Sequence, residues 1–213
     1  AAGLPVPVAL ATNKGQASFG SISSFFSFWT RGGVDRRRAP LAFVCGFIGS
    51  LAGARLLLFV KPEPLKPVVL VLLLVAAGIV AYPRKPTSGQ AKPWAMLALG
   101  PVAFALGFYD GFFGPGVGSM LIVAFVLIFG DTLTRASGNA KVVNLASNLA
   151  ALLLFSLKGA VIWQVAAPMA AANALGAFVG ARLAIKRGDT FVRVVVLGVV
   201  TVLVLKMAYD LLW

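Results

Sequence analysis

GFYDGFFGPGVGS (Gly107–Ser119), followed after an apolar run by SGNAKVVNLASN (Ser137–Asn148), sets an aspartate, a lysine, three asparagines and five clustered glycines in or beside segments of hydrocarbon length. Charged and polar groups are expensive in lipid, so each needs a partner or a task. Pro115 between Gly114 and Gly116 should break the helix, since proline cannot donate and glycine loosens the backbone. A helix restarting near Gly116–Ser119 offers exposed N–H groups, and such half-helix ends attract anions. These residues read as the lining of a path or binding site for a small anion.

Composition sets the class around them. Of 213 residues, 60% are hydrophobic and 12% charged, against about 45–50% apolar and about 25% charged in soluble domains. Several runs approach the roughly 20 apolar residues that span a bilayer. The chain is therefore a polytopic membrane protein with no separate soluble domain. Its formal charge is +13, from 19 Lys+Arg and 6 Asp+Glu. Nine of the 19 basic residues fall in short loops: Arg31, Arg36–Arg38, Arg84, Lys85, Lys92, Lys186 and Arg187. Positive-inside bias explains that distribution without nucleic acid. Cys45 is the only cysteine, so no intramolecular disulfide forms, and it reads as a small core residue. With no histidine, a His-based hydrolase or metalloenzyme is excluded on chemistry, and no metal or cofactor is expected.

Taken in order, the chain predicts a helix from Pro5 and Pro7 to about Trp29, then the loop RGGVDRRR. Spans follow over 40–60 and 65–82, and the polar stretch 84–93 is a linker. Residues 94–130 exceed one span and are interrupted, the first part reaching about Phe113. Asp131 can cap the helix that follows over 134–157. Residues 160–186 form a span bent at Pro168, and 190–212 the last. One offset recurs through the chain: Lys14 and Lys141, Gly53-Ala54-Arg55 and Gly180-Ala181-Arg182, Gly49 and Gly176, Ala9 and Ala136, and Tyr82 and Tyr209 each lie 127 positions apart. Two homologous halves, 1–83 and 94–213, would produce this, and transporters built from repeats place their site at the repeat interface. The counterpart of Gly107–Gly118 would precede Ala1, so a further segment of roughly 20–40 residues is expected there by repeat symmetry.

Candidate site residues follow from the same pattern. Asp110 is the one acid inside an apolar segment; it reads as a proton-coupling group or a partner of Lys141, or equally as a structural cap on the broken helix. Gly114, Gly116 and Gly118 would cradle an anion, the competing reading being close packing through Gly107 and Gly111. Ser137, Lys141, Asn144 and Asn148 recur at helical spacing on one face, offering a charge and adaptable donors to oxyanion oxygens. Lys14, Ser18 and Ser21 repeat the face more weakly, and Asn13 and Asn139 add nearby amides. Interhelical hydrogen bonding is the bland alternative for the small polar groups, less so for lysine. Arg55, Arg182 and Lys206 read as snorkelling side chains, and Gly49xxxGly53 and Gly176xxxGly180 as packing faces.

The motifs GFYDGFFGPGVGS, ASGNAKVVNLASN, GARLAIKRG and LATNKGQASFGS resemble the TauE/SafE/YfcA family of membrane permeases, often called sulfite exporters. The resemblance covers nearly the whole chain and implies a duplicated helical bundle that moves small sulfur-containing anions, sulfite and organosulfonates among them. It implicates Asp110 and its glycines, Asn139, Lys141, Asn144 and Asn148, with Asn13, Lys14 and Ser21 opposite. The first-half glycine motif is absent, which leaves half of a two-fold site unassigned.

The expected molecule is thus an all-α polytopic transmembrane bundle of about seven spans and two homologous halves, with a broken helix at about residues 107–118. It would be an inner-membrane anion permease working by alternating access, with the bilayer, a small anion and protons as its partners; a homo-oligomer is left open. A passive anion channel is the first rival. An intramembrane lipid-phosphate enzyme is the second, and it lacks the acids and histidines that such chemistry uses. If 94–130 crosses twice, the halves are inverted and the basic loops at 31–38, 84–92 and 186–193 share one side; if once, they are parallel. Charge bias favours the first.

Overall fold

The computed structural model describes residues 4–59, 66–81 and 93–212. Within them the chain is α-helical, with no strand. The helices are α1 (Val6–Thr30), α2 (Ala39–Leu57), α3 (Lys66–Ala81), α4 (Pro93–Phe112), α5 (Val117–Phe129), α6 (Leu133–Leu157) and α7 (Trp163–Leu212). Four of these are long and apolar enough to cross a membrane: α2, α4, α6 and α7. α1 has the length, with 25 residues, but is too polar to qualify. α5 has 13 residues, about 20 Å at the usual rise, which falls short of the ~30 Å hydrocarbon core. The linker residues 84–92 lie outside the described residues, as does the chain around Glu63.

α6 is the axis of the bundle. More than half of it is buried, the largest share of any candidate span, and α1, α2, α4, α5 and α7 all pack on it. Small residues let the neighbours come close. Gly46 of α2 lies against Val143, and the Ser50 hydroxyl donates to the Ser147 carbonyl at 2.7 Å, so α2 and α6 run parallel. α4 runs parallel to α2 through a glycine seam. Gly107 faces Gly46, Gly111 faces Ser50, Gly49 faces Phe104 and Gly53 faces Phe108, each with backbone against backbone. α1 and α6 run antiparallel: Lys14 reaches Asn148, while Gly33 beyond the end of α1 abuts Gly138. That is the direction an inverted repeat requires, since the 127-residue offset relates these two helices. The 31–38 loop and the bend of α7 also meet at the start of α6, through Arg38–Asp131 and Asp189.

Two local expectations are corrected and one is met: α7 breaks at Gly188 (φ 70°, ψ −158°), between the expected spans 160–186 and 190–212, with Pro168 inside its first helix. Only glycine enters that region at no steric cost. Asp131 does not cap α6. Thr132 does, accepting from the Arg135 N–H, and the Asp189 carboxylate accepts from the Leu133 and Thr134 N–H groups at 3.1 and 2.9 Å. A carboxylate at a helix N-terminus also suits the helix dipole. Asp131 instead pairs with Arg38. Finally, Gly176 and Gly180 make no packing face: nothing described lies within 4 Å of a Cβ placed on either.

Asp131 anchors an ionic network at the end where α6 begins. Arg38 Nη1 and Nη2 donate to its two oxygens at 3.1 and 2.9 Å, and Asn139 Nδ2 donates at 2.7 Å. Arg38 also holds Asp35 at 2.7 Å, and Asp35 takes a second contact from Arg135 at 3.3 Å. Partial burial pushes the Asp35 carboxyl up, but hydrogen bonds and charge from Arg38, with backbone N–H groups of Arg37 and Arg38, hold it below its ordinary 3.8. A carboxyl lowered on folding stabilises above its unfolded value and loses that contribution as pH falls through the folded one. The melting temperature in detergent should therefore be insensitive to Asp35 above about pH 5 and decline below about pH 4. Asp35→Asn should flatten that decline, and an identical acid profile in the variant would remove Asp35 from the account.

Candidate functional site

Lys14, Asp110, Ser147, Asn148 and Ser21 form a buried polar centre where α1, α4 and α6 meet. Each is at most 8% exposed. Lys14 Nζ lies 2.7 Å from Asp110 Oδ1 and donates to Asn148 Oδ1 at 3.1 Å. Asn148 Nδ2 donates in turn to Ser21 Oγ at 2.8 Å. The Ser147 hydroxyl donates to Asp110 Oδ2. Thus the carboxylate has a charged and a neutral donor, and every amide atom of Asn148 is used. A buried ion pair needs this completeness, because its attraction must offset the desolvation of both charges.

The broken helix brings Asp110 there. α4 ends at Phe112, and Gly114 (φ +92°) and Gly116 (φ +78°) take left-handed conformations that turn the chain back into α5. The Tyr109 hydroxyl donates to the Pro115 carbonyl and ties the turn to α4. Gly114 is fixed twice over. A Cβ there would sit 3.2 Å from Asp110 Oδ1 and 3.7 Å from Lys14 Nζ. Gly116 caps α5, while a Cβ on Gly118 would meet no described atom within 4 Å.

The remaining predicted residues divide. Lys141 and Ser137 line a cavity of about 260 Å³ between α1, α5, α6 and α7. Among the described residues the Lys141 ammonium has no hydrogen-bond or ion-pair partner; Asp110 acts on it only at a distance. Asn144, one turn further on, has its Nδ2 buried with no partner among the described residues. Asn139 is committed to the ionic network through both amide atoms, donating to Asp131 and accepting from the Asp35 N–H at 2.8 Å. Asn13 is exposed and accepts from Gln16, so it faces away from the centre. Ser18 donates to the Lys14 carbonyl. Asp110 finds its partner in Lys14 rather than Lys141. Sequence reasoning missed Ser147 and Asn173. Ser147 sits beside Asn148 in an already polar helix, which is a signal of sorts. Asn173 donates to Gln16 Oε1 at 2.7 Å, and nothing in its own apolar surroundings announces that.

A family model described as "Sulfite exporter TauE/SafE" matches residues 1–207. The chain belongs to the TauE/SafE family. Among curated TauE/SafE-like relatives, "Probable membrane transporter protein YfcA" of Escherichia coli (strain K12) is 37% identical over 217 residues, covering 99% of this chain and 79% of that protein. "Probable membrane transporter protein" of Haemophilus influenzae is 36% identical over 214 residues, covering 99% and 84%. "Probable membrane transporter protein ORF9" of a Sinorhizobium species is 33% identical over 216 residues, covering 98% and 81%. No solved structure matches the chain significantly. Family and fold together make it a multi-pass membrane transporter and not an enzyme. A helical bundle of this kind belongs to the inner membrane, since outer membranes are spanned by barrels.

Proposed function

We propose that this TauE/SafE protein carries small anions, sulfur oxyanions or organosulfonates such as sulfite, by alternating access. One observation carries the reading. Among the described residues, the interior of the bundle carries two lysines, the buried Lys14 and the half-buried Lys141 beside the cavity, and a single carboxylate between them, Asp110, which is spent on Lys14. An uncompensated ammonium in lipid is costly, and an anion beside it removes most of that cost. The orphan Asn144 amide supplies a further donor on the same helical face. Two halves, 1–83 and 94–213, rocking about α1 and α6 would expose this centre to each side in turn, and Asp110 is the group through which protons would couple.

Concentrative uptake separates this reading from a passive channel. In proteoliposomes with an imposed proton gradient, a labelled sulfur anion should accumulate above its outside concentration; purely dissipative flux favours the channel. Proton coupling is a separate claim. It predicts that Asp110→Asn, checked for folding, abolishes the pH-driven component, and unchanged pH-driven flux would end it.

A further inference from the structure

The end of the bundle where α6 begins carries a collar of exposed cations. Arg31, Arg36 and Arg37 stand in the loop between α1 and α2, and Lys186 and Arg187 precede the Gly188 bend of α7. The two segments meet across the start of α6, the first through Arg38 and Asp131, the second through Asp189. At the far ends of α2 and α6 the exposed cations are Arg55 and Lys158. The acids near the collar are turned inward. Asp131 is spent on Arg38 and Asn139, Asp35 on Arg38 and Arg135, and Asp189 on the first N–H groups of α6. Among the described residues, the side chains of Arg31, Arg36, Arg37, Lys186 and Arg187 therefore have no hydrogen-bond or ion-pair partner. Arg193, one helical turn beyond Asp189, adds an Nε that is buried with no partner among the described residues. Like charges gathered without counter-ions repel one another, and an anion laid across them relieves that repulsion.

Aromatic rings fix the depth of the collar. The Arg36 guanidinium lies over Trp29, 5.2 Å from the ring centroid, and Arg187 lies over Phe191 at 5.8 Å. Tryptophan gathers at the boundary between hydrocarbon and water. A guanidinium over a ring spends its face and keeps its edge N–H groups free, and those edges pair with two oxygens of a phosphate.

We infer that this collar binds the phosphate headgroup of an anionic phospholipid, laid across the start of α6 between the 31–38 loop and the bend of α7. A soluble acidic partner has no need of cations held at ring depth, whereas a lipid phosphate sits at that level already. Each lysine or arginine near an anionic lipid surface strengthens the attraction about fivefold. The loop belongs to one half of the chain and the bend to the other, so the bound lipid ties the halves together at this end.

Native mass spectrometry of the purified protein, given equal amounts of phosphatidylglycerol and phosphatidylcholine, tests this. Phosphatidylglycerol should be retained over phosphatidylcholine by about tenfold or more. Arg36→Gln/Arg37→Gln/Lys186→Gln/Arg187→Gln should bring the two lipids close to parity, while Arg55→Gln/Lys158→Gln at the far end keeps the preference. Equal retention of both lipids by the wild type overturns the inference and leaves the cations only the task of orienting the chain in the membrane. A preference that survives the collar variant, or is lost in the far-end variant, overturns it by moving the site elsewhere. Displacement of phosphatidylglycerol by millimolar inorganic phosphate overturns it too, by making the collar a site for a free anion. Should the fourfold variant fail to fold, Arg36→Gln/Arg37→Gln and Lys186→Gln/Arg187→Gln decide separately, each losing part of the preference.

Discussion

Asp110→Ala should unfold this protein more readily than any other single change at the polar centre, by about 3–5 kcal/mol, because it leaves Lys14 charged and buried without its counter-ion. The side chains of Lys14 and Asp110 are each 5% exposed, so water cannot substitute for the lost carboxylate. Ser147 and Asn148 would also lose order, since both donate or accept within the same network. The measurement is thermal unfolding in detergent, read alongside the folded yield. The double variant Lys14→Met/Asp110→Leu removes both charges together and should recover much of the loss, as buried pairs replaced by apolar groups usually do. If Asp110→Ala melted within about 1 kcal/mol of the wild type, the ion pair would not be the structural centre described here; that loss is what surface pairs give.

Gly53→Ala and Gly180→Ala should part company although the two glycines stand 127 positions apart in matching Gly-Ala-Arg triplets. A methyl on Gly53 would collide with the Phe108 carbonyl oxygen and come to 2.9 Å from its carbon and 3.0 Å from the Phe112 nitrogen. These are backbone atoms of α4 and cannot rotate away, so α2 and α4 must separate. The expected cost is about 3 kcal/mol, at the upper end of overpacking. A methyl on Gly180 meets no described atom within 4 Å. Alanine is the better helix former, so Gly180→Ala should be neutral or slightly stabilising, within about 1 kcal/mol. Melting the two variants side by side is sufficient. Equal losses would mean that the Gly180 face is packed as tightly as the Gly53 face, against the geometry described.

The sequence carried the helical segments well because apolar runs and glycine–proline breaks are local signals. α5 and α6 begin within a residue of where Gly116 and the 134–157 run place them. Partners were less legible. Asp110 and Lys141 lie close in the chain, and that invited a pairing. Lys14 is 96 positions away from Asp110, and only the docking of α1 on α6 beside α4 joins them. The helical face of Ser137, Lys141, Asn144 and Asn148 also splits in three dimensions. Asn148 turns to α1, while Lys141 and Ser137 open toward α7, because the neighbouring helices differ along the length of α6. The partners of Asn139 are equally hidden: its amide bonds across to the loop between α1 and α2, and nothing in the local sequence announces that loop's arrival. The 127-residue offset is legible in the sequence alone, whereas the antiparallel course of α1 and α6 appears only in three dimensions.

Labelled sulfite and methanesulfonate uptake by proteoliposomes, compared between the wild type and Lys141→Ala, tests most directly whether an anion passes beside the unpaired lysine. Loss of one charged hydrogen bond predicts a fall of about tenfold or more for whichever anion the wild type carries, with the variant still folded by its melting curve. Equal flux in the two proteins would contradict the account and move the path away from Lys141.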